Sequence, residues 1–248
     1  MWHNPRALNA AAGLLCGLAL CLFAFAALRL LTRPAVFPLR ELVVHGTLKH
    51  TSRAQIESTA RGLRGRNFLA VDLAALRVQF EQLPWVRRVT VRRVWPDRLE
   101  IDIEEHIALA KWLDGGGVNL FGERFPGTVD GSLPVFEGPP GSEPEVTRRY
   151  RLFAARLAPL GMEIVRVGLS PRFAWQLRVA GGLRIQLGRD APNDPAEARL
   201  ARFAAVYPQT VQRLAGQHDY VDLRYTNGFA LRVPDLERDA KSPPRRRG

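Results

Sequence analysis

The chain of 248 residues carries 36 Lys and Arg against 24 Asp and Glu, a formal net charge of +12, and only two cysteines, Cys16 and Cys21. Both cysteines fall inside an N-terminal apolar run, so a disulfide framework and a cysteine-ligated zinc site are excluded for everything beyond it. The positive excess is spread thinly, with 12 basic and 9 acidic residues over 37–106 and 16 against 12 over 107–233; a duplex-binding protein concentrates its charge on one face, so no nucleic-acid partner is expected.

Ala7 to Leu28 contains 22 residues without a charge. A helix rises about 1.5 Å per residue, and about 20 apolar residues cross a hydrocarbon core of about 30 Å. The run predicts a transmembrane helix over 7–31, preceded by a short start at 1–6. Ala24-Phe25-Ala26 resembles a signal-peptide cleavage site, but the stretch exceeds the roughly 7–15 residues of a secretory core, which favours a retained anchor. Leu18-Ala19-Leu20 before Cys21 does not suit a lipidated cysteine. Flanking charge leans against a translocated C-terminus, with Arg6 on one side and Arg29, Arg33 and Arg40 on the other, although a long domain translocates largely regardless of such charges.

Residues 37–106 read as strand, helix, helix, strand, strand. Leu39 to His45 is extended and stops at Gly46. Ser52 with Gln55 predicts a capping box for a helix through Ala60. Asp72 caps a second helix in which Leu73, Leu76, Phe80 and Leu83 share a face, and Pro84 ends it. In the next two strands Val89 and Val91 alternate with Arg88, Thr90 and Arg92, and Leu99, Ile101 and Ile103 alternate with Glu100, Asp102 and Glu104. An odd-numbered turn or a bulge puts both charged rows on the solvent face, where they pair across the strands. The element order, together with "NFLAVD", "LPWVRRVTVRRVWPDRLEIDIEE" and "HIALAKW", resembles a POTRA domain of β-α-α-β-β order. Barrel insertases and two-partner secretion transporters also carry such modules, but they lack an N-terminal membrane helix and continue into a long barrel.

Residues 107–233 read as a second domain. The glycines around Val118 to Phe125 suggest a hairpin, and a loop with Pro134, Pro139 and Pro140 leads to a capping box at Ser142 and Glu145. The following helix lines up Val146, Tyr150, Phe153, Leu157 and Leu160. Strands follow at Ile164 to Ser170, Ala174 to Val179 and Leu183 to Leu187; Asp194-Pro195 opens a helix with Leu200, Phe203 and Tyr207 inward, and Pro208 marks either its end or a kink beyond which Val211 and Leu214 continue the apolar face. Tyr220 to Tyr225 and Phe229 to Val233 form a hairpin around Asn227-Gly228, ended by Pro234, so the last strand is free to lie at a sheet edge. Residues 234–248, with Pro243-Pro244-Arg245-Arg246-Arg247, read as a disordered basic tail.

No constellation for catalysis stands out. Glu104 and His106 share a strand face while Glu105 takes the other, which reads as a solvated strand end, and the five histidines lack paired spacing. No catalytic, cofactor-binding or metal-binding residue and no small-molecule substrate is expected.

"GVNLFGERF", "LPVFEGP", "GLRIQLGR", "RLARFAAVYP" and "YVDLRYTNGFAL", in this order after the POTRA-like segment and a single anchor, resemble the FtsQ/DivIB family of bacterial cell-division proteins. The resemblance implies an α+β architecture: one N-terminal transmembrane helix, a POTRA domain over 37–106, and a mixed domain over 107–233 with a mainly antiparallel sheet. It implies an inner-membrane protein of the septum, N-terminus cytoplasmic and bulk periplasmic. Its role would be that of a non-enzymatic divisome scaffold that recruits FtsB and FtsL type partners. In that family FtsB adds a strand to the last strand, which places partner contact at Tyr225, Asn227, Gly228, Phe229, Ala230, Leu231, Arg232 and Val233. The alternative is a POTRA-type polypeptide transport or outer-membrane assembly factor.

Overall fold

The computed structural model describes residues 5–31, 36–210, 219–225 and 228–232. Helix α1, Pro5–Leu31, is one continuous helix whose stretch Leu8–Leu30 is long and apolar enough to cross a membrane. The chain divides into two compact units that meet in sequence at Glu105 and His106, the first of which includes this helix.

In the first unit β1 (Glu41–His45) is followed by α2 (Arg53–Thr59), α3 (Leu73–Glu81), β2 (Val86–Val94) and β3 (Arg98–Glu105). Gly46 ends β1 at φ 139°, and a Cβ there would lie 2.3 Å from the Ile103 carbonyl oxygen, so no side chain fits. The capping box at Ser52 and Gln55 is formed in both directions, and Asp72 accepts from the amides of Ala74 and Ala75. The sheet order is β1-β3-β2, with β1 parallel and β2 antiparallel to the central strand. Three residues, Trp95 to Asp97, separate the paired ends Val94 and Arg98. This odd turn sets Arg92 opposite Glu100 and Arg88 opposite Glu104, with Arg92 2.6 Å from Glu100. Leu76, Phe80, Val89, Leu99, Ile101 and Ile103 face inward and bury the helices against the sheet.

The second unit holds a nine-stranded sheet. Its strands are β4 (Ala108–Trp112), β5 (Gly117–Asn119), β6 (Arg124–Phe125), β7 (Val135–Glu137), β8 (Ile164–Leu169), β9 (Ala174–Val179), β10 (Arg184–Arg189), β11 (Tyr220–Asp222) and β12 (Ala230–Arg232). Their order is β12-β11-β10-β9-β8-β7-β4-β5-β6. Pairing is mainly antiparallel, with parallel steps at β10–β11, β7–β8 and β4–β7. Helices α4 (Glu143–Leu157) and α5 (Ala196–Val206) contribute Val146, Phe153, Leu157, Leu200 and Phe203 to one core with the sheet. In register across the sheet, Trp112, Phe136, Val167, Leu177, Ile185, Val221 and Leu231 form the apolar row of that core. One position over, Arg166, Arg178, Arg184, Tyr220 and Arg232 form a row on the opposite face, as the period-2 pleat requires.

Three local expectations are corrected. Ser142 does not cap α4: its hydroxyl donates to the Pro139 carbonyl at 2.6 Å, and Glu145 accepts instead from Arg148 and Arg149. Pro195 occupies the N-cap of α5 without a side-chain bond, and the Ala196 amide donates to Asp190 at 2.7 Å. Asp190 also accepts from Arg149 of α4 at 2.6 Å, so a residue six positions upstream caps α5 and ties the two helices together. Asp194 instead clamps Arg199 and Arg202. The segment around Pro134 is not wholly a loop, because β7 lies in it between β4 and β8. The expected continuation at Val211 and Leu214 and the tail 234–248 lie outside the described residues.

Candidate partner-binding edge

The end of the chain builds one margin of the large sheet. Val221 on β11 is fully buried, while its neighbours Tyr220 and Asp222 turn to the other face. Leu223 prolongs the strand contact by donating its amide to the Gln186 carbonyl at 2.9 Å. Asp222 is fixed by Arg224, which approaches through Nε at 2.9 Å from Oδ1, through Nη2 at 2.6 Å from Oδ2, and through its own amide at 3.0 Å. These hydrogen bonds hold the Asp222 carboxyl below its ordinary range despite its burial, and the same pairing raises the Arg224 guanidinium. Burial raises the Tyr220 phenol.

β12 pairs antiparallel with β11, Tyr220 opposite Arg232, Val221 opposite Leu231 and Asp222 opposite Ala230. Its side chains divide by period. Phe229 and Leu231 are partly buried and pack on the core, with the Phe229 ring edge-on to Phe203 at 5.6 Å and 87°. Ala230 and Arg232 are exposed. The Arg232 guanidinium lies 3.3 Å from Asp219, which also lies 3.6 Å from Arg184. Gly228 is exposed, and Tyr225 is 56% exposed just beyond the Asp222–Arg224 pair. Among the described residues no strand pairs with the outer side of β12. Of the expected contact residues, Tyr225, Gly228, Phe229, Ala230, Leu231 and Arg232 come together at this margin; Asn227 and Val233 lie outside the described residues.

Sequence reasoning missed the two ion pairs that stiffen the margin, Asp222–Arg224 and Asp219–Arg232. The first had a signal, since Asp222 and Arg224 stand two positions apart on an extended segment. The second joins residues of different strands and had none.

The triplet at the unit boundary does not converge. Glu104 pairs with Arg87 at 2.7 Å, and the His106 ring stacks on Phe125 at 4.4 Å beside Asn119. Glu105 is no solvated strand end: its carboxylate accepts from the amides of Lys49 at 2.8 Å, Thr51 at 2.7 Å and His50 at 3.2 Å. Burial raises its pKa, but hydrogen bonds from Thr51, Lys49 and His50 outweigh that and hold it below the ordinary value of 4.5. Among the described residues no group of three or more His, Cys, Asp and Glu is placed to hold a metal ion.

An apolar helix long enough to span a bilayer, a small β-α-α-β-β module and a mixed nine-stranded domain define a POTRA-bearing protein with an N-terminal candidate membrane helix. The family described as POTRA domain, FtsQ-type, matches residues 37–106, and that described as cell division protein FtsQ/DivIB, C-terminal, matches residues 110–224. The chain is 41% identical to cell division protein FtsQ of Burkholderia pseudomallei, over 95% of this chain and 96% of that one. It is 39% identical to that of Nitrosospira multiformis over 94% and 99% of the two chains, and 34% identical to that of Bordetella pertussis over 98% of each. The chain belongs to the FtsQ/DivIB family of cell-division proteins.

Proposed function

We propose that the protein is a divisome scaffold of the inner membrane that recruits FtsB and FtsL type partners to the septum by accepting a strand on the outer side of β12. The observation that carries this reading is the position of β12 at the end of the sheet order, with Phe229 and Leu231 turned to the core and its outer side unpaired among the described residues. A strand added there draws affinity from main-chain hydrogen bonds and specificity from alternate side chains. The inward pair holds the strand in place, and Tyr225, Ala230 and Arg232 meet the partner's side chains, with Asn227, Gly228 and Val233 flanking them.

In this reading residues 1–6 are cytoplasmic, 7–31 cross the membrane, and the POTRA domain (37–106) and the second domain (107–233) are periplasmic, followed by the tail 234–248. The role is contact rather than catalysis. Co-purification of the full chain with a single-pass coiled-coil partner of FtsB type tests it. Deletion of 229–233 abolishes capture and septal recruitment while the anchor and first unit stay intact. Undiminished capture, or normal division with defective outer-membrane assembly, overturns the scaffold reading in favour of a polypeptide-transport role.

A further inference from the structure

The hexapeptide Arg61-Gly62-Leu63-Arg64-Gly65-Arg66 follows α2 and carries three exposed arginines. Among the described residues their guanidinium groups make no ion pair or hydrogen bond, whereas the neighbouring Arg53 is engaged by Glu57 at 2.8 Å. Leu63 is buried and pins the turn to the core, while Gly62 and Gly65 adopt φ of 85° and 78° with open space where a Cβ would stand. The turn therefore presents three charges without partners among the described residues on a fixed support.

Its place in the chain gives those charges a destination. The turn is hydrogen-bonded to the residues that leave the membrane helix: Leu39 donates to the Arg66 carbonyl at 2.8 Å, Gly65 to the Leu39 carbonyl at 3.1 Å, and Phe68 to the Phe37 carbonyl at 2.7 Å. Only six residue steps separate Phe37 from Leu31, the end of α1, a reach of about 20 Å when fully extended. Beside the turn opens a groove of ≈ 970 Å³, lined by the apolar Leu42, Val44, Leu48 and Ile56, by Arg61 and Arg64, and by the mutually paired Arg53 and Glu57, which leaves the charge excess of its lining positive. An apolar lining with a cationic excess matches the boundary between acyl chains and anionic headgroups.

We propose that the Arg61–Arg66 turn docks on the bilayer through the phosphates of anionic phospholipids and holds the first unit against the membrane surface. The proposal rests on α1 being the anchor. Each arginine near an anionic surface strengthens association about fivefold, on the order of a hundredfold for three, and salt weakens it.

The test uses the full chain in nanodiscs of phosphatidylcholine alone or mixed with phosphatidylglycerol, doped with gadolinium-bearing lipid, with amide relaxation read by NMR. Enhancement at residues 61–66 is expected to be several-fold greater in the anionic discs, to fall with added salt, and to drop in R61Q/R64Q/R66Q to the level of the phosphatidylcholine discs, which the tether to α1 sets. That variant is expected to keep the amide shifts of β2 and β3, since the lost groups make no ion pair or hydrogen bond among the described residues. Equal enhancement in both lipids, or an unchanged profile in the triple variant, overturns the docking. Release of the chain from vesicles by alkaline carbonate overturns the anchor and the docking together, which separates the two failures.

Discussion

Replacing Phe229 with alanine tests how the last strand is held. Phe→Ala in a fully buried site costs about 3–5 kcal/mol. Phe229 is only partly buried, and its main aromatic contact is the edge-on Phe203 ring at 5.6 Å, so about 2 kcal/mol is expected for lost burial and ring contact together. The loss acts on a strand of three residues that, among the described residues, is paired on one side, so it lowers the free energy of local opening rather than that of the whole unit. Amide hydrogen exchange of the full chain in nanodiscs then shows the β12 amides that bond to β11 exchanging about 30-fold faster, with β8 and β9 unchanged. Arg232→Gln removes an exposed charge and its solvent-screened pair with Asp219, and stays within about 1 kcal/mol, or roughly a fivefold change. Exchange in β12 that Phe229→Ala leaves unaltered, or that Arg232→Gln accelerates as much, refutes the division into inward and outward residues.

Gly46→Ala forces a side chain into a φ of 139° and against the Ile103 carbonyl; a loss of about 3 kcal/mol or more is expected, read as earlier urea unfolding of the first unit by Trp85 and Trp95 fluorescence. Glu105→Gln gives up charge-assisted acceptance from three amides and should accelerate exchange at Thr51 by about 10- to 100-fold at neutral pH, equivalent to about 1.5–3 kcal/mol. Because the folded pKa of Glu105 lies below its unfolded value, its contribution is complete above about pH 5 and fades as pH falls through the folded pKa. The wild-type and Gln proteins therefore converge in Thr51 protection at low pH, and a difference that persists there contradicts the assignment.

What the sequence disclosed follows from how local each cause is. The long apolar helix, the capping box at Ser52 and Gln55, the Asp72 cap and the facing rows of β2 and β3 depend on spacing within a few residues, and they appear as expected. The three-residue turn at Trp95 to Asp97 fixed the register that pairs Arg92 with Glu100. β7 escaped because a short run beside Pro134 has too little pattern of its own; its parallel neighbours β4 and β8 make it a strand. The cap of α5 escaped because Asp190 reaches it from beyond the capping window, and Ser142 found a better acceptor in Pro139. Glu105 was misread because its partners lie more than fifty residues earlier in the chain. At the candidate edge, alternation and the final turn showed where the last strand lies, whereas the Asp219–Arg232 pair depends on tertiary placement alone.

The measurement that bears most directly on strand addition is amide exchange at Ala230, Leu231 and Arg232 in the full chain, with and without a saturating FtsB-type periplasmic segment. A strand hydrogen-bonded along β12 protects its outward amides by at least about tenfold while leaving the core row at Val167 and Leu177 unchanged. Binding of the segment at full occupancy with no added protection in β12 contradicts the account.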